Sequence, residues 1–169
     1  MADAPTTLQQ LLDHHAVQEV LVRYCNSLTV KDYDGVASCF SKSADFAGMK
    51  GRDGIREVFA THFDVPLRGG LPIDVLHRGQ YFLSNVQIEV DGDTATAFSF
   101  GRSHLLGSRG GELVLLVRSF SYTDDLVREE GEWVIAHRTH RLLSMYDAAP
   151  LADADERLAL RSVDLNPPS

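Results

Sequence analysis

Val17–Asp34, VQEVLVRYCNSLTVKDYD, places Val17, Val20, Leu21, Tyr24 and Leu28 at i, i+3, i+4, i+7 and i+11. This spacing predicts one apolar stripe on a helix that stops at a short break and restarts. A tyrosine on such a stripe must set its phenol against a partner or into a cavity. Tyr24 therefore reads as packed core or as the wall of a pocket. Upstream, Leu8, Leu11 and Leu12 are read as extending the stripe, so the helix is expected from Thr7 or Leu8 to about Ser27, behind a loose arm, Met1–Thr7. Downstream, Asp32 is a candidate N-cap for a second helix, Tyr33–Phe40, with Val36, Cys39 and Phe40 inward.

Ser43–Met49 suits an extended segment. GRDGIREVFATHF (51–63) reads as a third helix with Asp53 as candidate cap and Ile55, Val58, Phe59 and His62 on one face. Asp64–Asp74, DVPLRGGLPID, is rich in Pro and Gly, and is long enough to suggest a lid or binding loop. The pattern then turns from helical to alternating. Val75–Phe82 and Asn85–Val90 form one bent strand, and Asp91-Gly92 signals a hairpin into Asp93–Leu106. Glu112–Arg128 and Glu132–Tyr146 follow, joined by a tight turn at Glu130-Gly131. Helices first and a four-stranded meander second means α+β, with helices packed on one face of a strongly curved antiparallel sheet. A single domain over residues 1–146 is expected. The acidic tail 147–169 is expected to be partly ordered, with one amphipathic turn at Leu158–Val163.

Bulk properties exclude several classes of function. Of the 169 residues, 44% are hydrophobic and 24% charged, as in ordinary globular proteins. The formal charge of −8 and the lack of a basic face argue against nucleic-acid binding. No stretch approaches a membrane span, and MADAPTTLQQ lacks the basic start and apolar run of a signal peptide. Cys25 and Cys39 read as buried reduced thiols. A cytoplasmic protein is expected. Both faces of Glu112–Arg128 are partly apolar, so a homodimer or homotrimer is expected too.

The residues RYCNSLTVKDYDGVASCF, SADF, GIREVFATHF, HRGQYFLSNVQIEVDGDTATA and YTDDLVREEGEWVIAHRTHR occur in an order that resembles the SnoaL-like branch of the nuclear-transport-factor-2-like superfamily. Asn85–Ala97 and Gly131-Glu132-Trp133 are the most specific pieces. The resemblance covers about residues 8–146. It implies a cystatin-like cone, a bent sheet closed by three N-terminal helices around an apolar pocket. It also implies an acid–base lyase or isomerase without a cofactor, dehydratase- or cyclase-like, on an apolar polycyclic, aromatic or steroid-like substrate. The alternative is a non-catalytic small subunit of a ring-hydroxylating dioxygenase, assembled with a large subunit, or a small-molecule-binding module. One such cone hosts many activities.

By that resemblance Tyr24 and His77 are the catalytic pair, with His77 as base and Tyr24 polarising a carbonyl or holding a leaving hydroxyl. Thr29 stands where the dehydratases carry an aspartate. Asp45, on the SADF segment, and His104, sharing a strand face with Phe98 and Phe100, are candidate substrate contacts. Phe59, Phe100 and Tyr122 complete the expected lining. Arg102 and Arg141 could stabilise an anion in the cone mouth, although exposed arginines at strand ends are usually just solvated. An epoxide-hydrolase type of site is disfavoured, because the strands offer arginines without matching inward aspartates. His14-His15 and His137-x-x-His140 do not make ready chelates, so no metal is expected.

Overall fold

The computed structural model describes residues 7–62 and 71–148. The chain forms α1 (Leu8–Val30), α2 (Tyr33–Ser38), β1 (Phe40–Phe46), β2 (Met49–Lys50), α3 (Gly51–His62), β3 (Val75–Asp91), β4 (Thr94–Arg109), β5 (Glu112–Glu129) and β6 (Glu132–Ala148). The predicted helices, hairpins and tight turns are all present. The sheet has six strands rather than four, in the order β2-β1-β6-β5-β4-β3, because the SADF segment joins it. β1 runs parallel to β6 and antiparallel to β2. The Asp64–Asp74 loop lies mostly outside the described residues, as does the tail from residue 149 with its expected turn. Residues 147 and 148 close β6. No helix among the described residues is long and apolar enough to cross a membrane.

Local chemistry sets the helix ends. Thr7 and Gln10 form a reciprocal capping box at the start of α1. Lys31 takes the left-handed conformation that ends it. Asp32 then caps α2 by accepting from the Gly35 amide at 2.8 Å. A Cβ on Gly35 would lie 2.2 Å from the Asp32 carboxylate, so a larger residue there would displace the cap. Register shifts at Leu76/Arg78 and Ser84/Gln87 bend β3, and shifts at Ser119/Phe120 and Asp125/Leu126 bend the β5–β6 pair. These irregularities curl the sheet so that its concave face wraps α1.

Val17, Val20, Leu21, Tyr24 and Leu28 are buried against that face, as their spacing requires. Each such side chain contributes about 1.5–3 kcal/mol by leaving water. Leu8, Leu11 and Leu12 do not extend the stripe and are exposed. At about 100° per residue, Leu8 lies half a turn round from Val17, nine positions later. The residue that continues the buried face is Asp13. Its carboxylate accepts from Arg128 Nη2 at 2.6 Å, from Trp133 Nε1 at 3.2 Å and from Gln9 at 3.2 Å, pinning α1 to the β5–β6 hairpin. Arg128 also covers the Trp133 ring at 4.6 Å. Cys25 and Cys39 are buried free thiols, as expected.

The hydrogen bond from Arg128 is the main influence holding the Asp13 carboxyl below its ordinary value, against the opposing effect of burial. A carboxyl lowered in the folded state adds stability above its unfolded value of about 4 and loses it as pH falls through the folded value. Asp13→Asn is expected to cost about 1.5–3 kcal/mol at neutral pH. Urea midpoints measured from pH 7 downward should also fall less steeply on the acid side for the variant than for the native chain.

Candidate functional site

Alternation along β5 turns Arg118, Phe120, Tyr122, Asp124 and Leu126 to the concave face. The register then sets Asp124 opposite Arg138 and Tyr122 opposite His140 on β6. On the other side, Ser99 pairs with Tyr122, Gly101 with Phe120 and Ser103 with Arg118. Gly101 is where the Phe120 ring lies on the sheet, since a Cβ would come within 2.1 Å of it.

At the floor is a fully buried ion pair. Arg138 Nε donates to Asp124 Oδ1 at 2.6 Å and Nη2 donates to Oδ2 at 2.8 Å, with both side chains 0% exposed. Two tyrosine rings flank the guanidinium, with Tyr24 at 4.2 Å and Tyr122 at 4.1 Å from ring centroid to Cζ. The rings are nearly perpendicular to each other, with centroids 5.9 Å apart. Phe40 and Phe59 meet Tyr24 edge-on at 5.7 and 6.4 Å. Burial disfavours the Arg138 charge, and the Asp124 carboxylate more than offsets this, so the guanidinium stays charged. Because the Nε–Nη2 edge faces Asp124, the Nη1 donors point away from it. That nitrogen is buried without a hydrogen-bond partner.

Above this floor His140 lies against the Phe120 and Tyr122 rings at 5.2 and 5.4 Å. Its Nε2 lies 3.3 Å from Arg118 Nη2. Since the guanidinium can only donate, Nε2 is the acceptor and the ring proton is on Nδ1. Burial, then the charges of Arg118 and Arg138, push His140 down to about 4. Burial pushes the Tyr24 phenol up to about 12, against the opposing charge of Arg138, and raises Tyr122 as well. At neutral pH the site therefore holds two protonated phenols, one neutral imidazole and fixed cations. Among the described residues no group of three or more His, Cys, Asp or Glu is placed to hold a metal.

The structure gathers some of the expected site residues and separates others. Tyr24, Tyr122 and Phe59 share the aromatic cluster. Thr29 is occupied structurally, donating to the Cys25 carbonyl at 3.0 Å and accepting from the Tyr81 amide at 3.3 Å. His77 is exposed at the β3 bulge, outside the register that links Leu76 and Arg78 to β4, and it makes no described contact with Tyr24. His104 and Phe100 are on the convex side, since Ser99 and Ser103 occupy the buried face between them. His104 packs on Phe82 at 5.5 Å. Asp45 also faces outward, ion-paired with Lys50 on the sheet edge, while its neighbours Ala44 and Phe46 are buried. Arg102 and Arg141 are exposed.

The expectation that no inward aspartate meets an arginine is overturned by Asp124 and Arg138. Strand parity already contained the signal: Asp124 is two residues beyond Tyr122, and Arg138 and His140 are two apart on one strand. Asp124→Asn is expected to destabilise the fold by about 3–5 kcal/mol by leaving a buried guanidinium uncompensated. Denaturant unfolding of the variant against the native chain measures this.

Three solved structures place the fold among known ones. A Mycobacterium tuberculosis protein of unknown function is 29% identical, with a TM-score of 0.64 over 80% of this chain and 74% of that one. A hexachlorocyclohexane dehydrochlorinase, LinA type 3, from Novosphingobium barchaimii is 16% identical, with a TM-score of 0.69 over 85% and 95% of the two chains. A protein of unknown function from Nostoc punctiforme, described as having a cystatin-like fold, is 22% identical, with a TM-score of 0.60 over 78% and 92%. No curated protein matches the chain. The SnoaL-like domain family matches residues 9–139, from α1 into β6, and the chain belongs to that family.

Proposed function

We propose that the chain is a cofactor-independent acid–base enzyme, a lyase or isomerase of dehydratase or cyclase type, acting on an apolar ring-containing substrate held against the concave face. The observation that carries this reading is the cluster of Tyr24, Tyr122 and His140 around the buried Arg138 guanidinium. Proton abstraction beside a carbonyl needs a deprotonated base and donors aimed where the oxyanion forms. His140 is the base in this reading: it is neutral at neutral pH, and its Nε2 lone pair, which accepts from Arg118 in the free chain, takes the proton once Arg118 turns to the substrate. It takes the proton from carbon, and the bonding pair moves toward the carbonyl oxygen. A tyrosine hydroxyl, polarised by Arg138, donates to that oxygen. In an isomerase the imidazolium returns the proton to another carbon of the conjugated system. In a dehydratase it delivers the proton to a departing hydroxyl, leaving a carbon–carbon double bond and water. The dehydrochlorinase of similar fold is named for a related elimination, and this likeness is a fold-level analogy only.

Isotope exchange tests this reading whatever the natural substrate is. A panel of aryl and cyclic ketones is incubated with the protein in D2O, and exchange of the α-protons is followed by NMR. His140→Gln and Tyr24→Phe are each expected to lower exchange at least tenfold, within the 10²–10⁴-fold contributed by such groups. A loss confined to His77→Ala would instead return the role of base to the exposed strand histidine.

A non-catalytic subunit is the second reading. It is favoured by the structural use of Thr29 and by Phe82 and Phe100, exposed on the convex face where another chain could cover them. No exchange with any ketone, together with co-purification of a large oxygenase subunit, would support it.

A further inference from the structure

Among the described residues, the helix-facing side of β5 and β6 carries three arginines, and two of them meet carboxylates: Arg128 meets Asp13 and Asp93. Asp124 compensates Arg138. Arg118 has no carboxylate partner among the described residues. Its contacts are His140 Nε2 at 3.3 Å and the Phe120 ring at 5.7 Å, and its Nε is buried without a partner. Beside it, Ser103 in cross-strand register is 0% exposed with an unpartnered hydroxyl. A half-buried cation and a buried hydroxyl left unsatisfied both cost free energy. An apolar side chain at position 118 would avoid this cost. The chain nevertheless keeps a positive site inside a molecule of formal charge −8.

Apolar surface surrounds the unpaired cation. On one side is the cluster of Ile73, Leu76, Leu105 and Leu116. On the other are Phe120, Tyr122 and Tyr24. Met145, opposite Arg118 in register, leaves apolar surface exposed along β6.

We propose that Arg118, with Ser103, seats a single anionic group, of carboxylate type, on an otherwise apolar aromatic or polycyclic substrate. This rests on the reading of the concave face as a substrate site and names the class of substrate it takes. The carboxylate accepts from the guanidinium and the serine hydroxyl, and the ring body lies over the aromatic floor. Pairing Arg118 with an anion also removes one of the charges that keep His140 weakly basic. A substrate acid thereby makes the neighbouring imidazole a better proton acceptor as it binds.

Calorimetric titration of the full chain with 2-naphthoate and with 2-acetylnaphthalene, its neutral counterpart of similar shape, tests the proposal. The native chain is expected to bind the acid at least tenfold more tightly than the ketone. Arg118→Met should weaken the acid at least tenfold and the ketone less than twofold. Arg118→Lys should keep part of the preference, and this serves if the methionine variant fails to fold. In the native chain, 2-naphthoate should also raise the pH at which the His140 imidazole resonances titrate. Equal affinity for the two compounds, or equal losses in the variants, would overturn the anion seat. Ketone exchange in D2O with no preference for the acid would overturn the seat and leave the acid–base reading standing. Arg118-dependent binding of the acid with no exchange of any ketone would do the reverse.

Discussion

The interaction on which the rest depends is the ion pair between Asp124 and Arg138, made inside a ring of aromatic side chains with no access to water. Two charges taken out of water are costly, and their mutual attraction offsets that cost only when the geometry is good and the remaining polar atoms are served. Here the contact is two-pronged and the faces of the guanidinium are covered by tyrosines, while Nη1 is left without a hydrogen-bond partner. Stability alone does not call for this arrangement, because apolar residues of similar volume pack as well. What a fixed, desolvated cation offers is an oriented field, worth more in a dry site than in water and requiring no reorganisation during reaction.

That field orders the groups around it. The phenols of Tyr24 and Tyr122 keep their protons, because burial opposes their ionisation more than the cation favours it. His140 stays neutral for the complementary reason, since burial and two neighbouring guanidinium groups all disfavour a further positive charge. Donors and acceptor thus differ in protonation at one pH, on side chains that adjoin across two strands and a helix. Such divergence between neighbouring titratable groups is characteristic of sites that move protons.

The helix that closes the cone is held at both ends by different means. At its start Asp13 reaches the β5–β6 hairpin through Arg128 and Trp133. Toward its end Thr29 joins the helix backbone to β3. Between them Tyr24 rests on the guanidinium. The helix therefore cannot slide along the sheet without breaking polar contacts that have no substitute in the interior. Thr29 shows how one position can serve position rather than chemistry: a hydroxyl there bridges two elements where a carboxylate could have reached into the cone.

Much of this is legible in the sequence. Apolar spacing locates the buried face of α1 from Val17 onward, and alternation with turn residues locates the four long strands. Parity brings Tyr122 to the helix side. These readings succeed because helix and strand periods are properties of the backbone, and any sequence must obey them locally. Leu8, Leu11 and Leu12 fall off the stripe because similar spacing does not guarantee the same angular phase. His77, His104 and Asp45 lie outside the cone for a different reason. A bulge adds one residue and reverses which way a side chain points, and the identity of the buried face depends on what packs against it. The pairing of Asp124 with Arg138 joins residues on separate strands, and only the register between those strands brings them together. The sequence by itself determined the elements and the helix that anchors the cone. The tertiary structure decided which charges meet in its interior, because that depends on strand register and on the exclusion of water, neither of which is a local property of the chain.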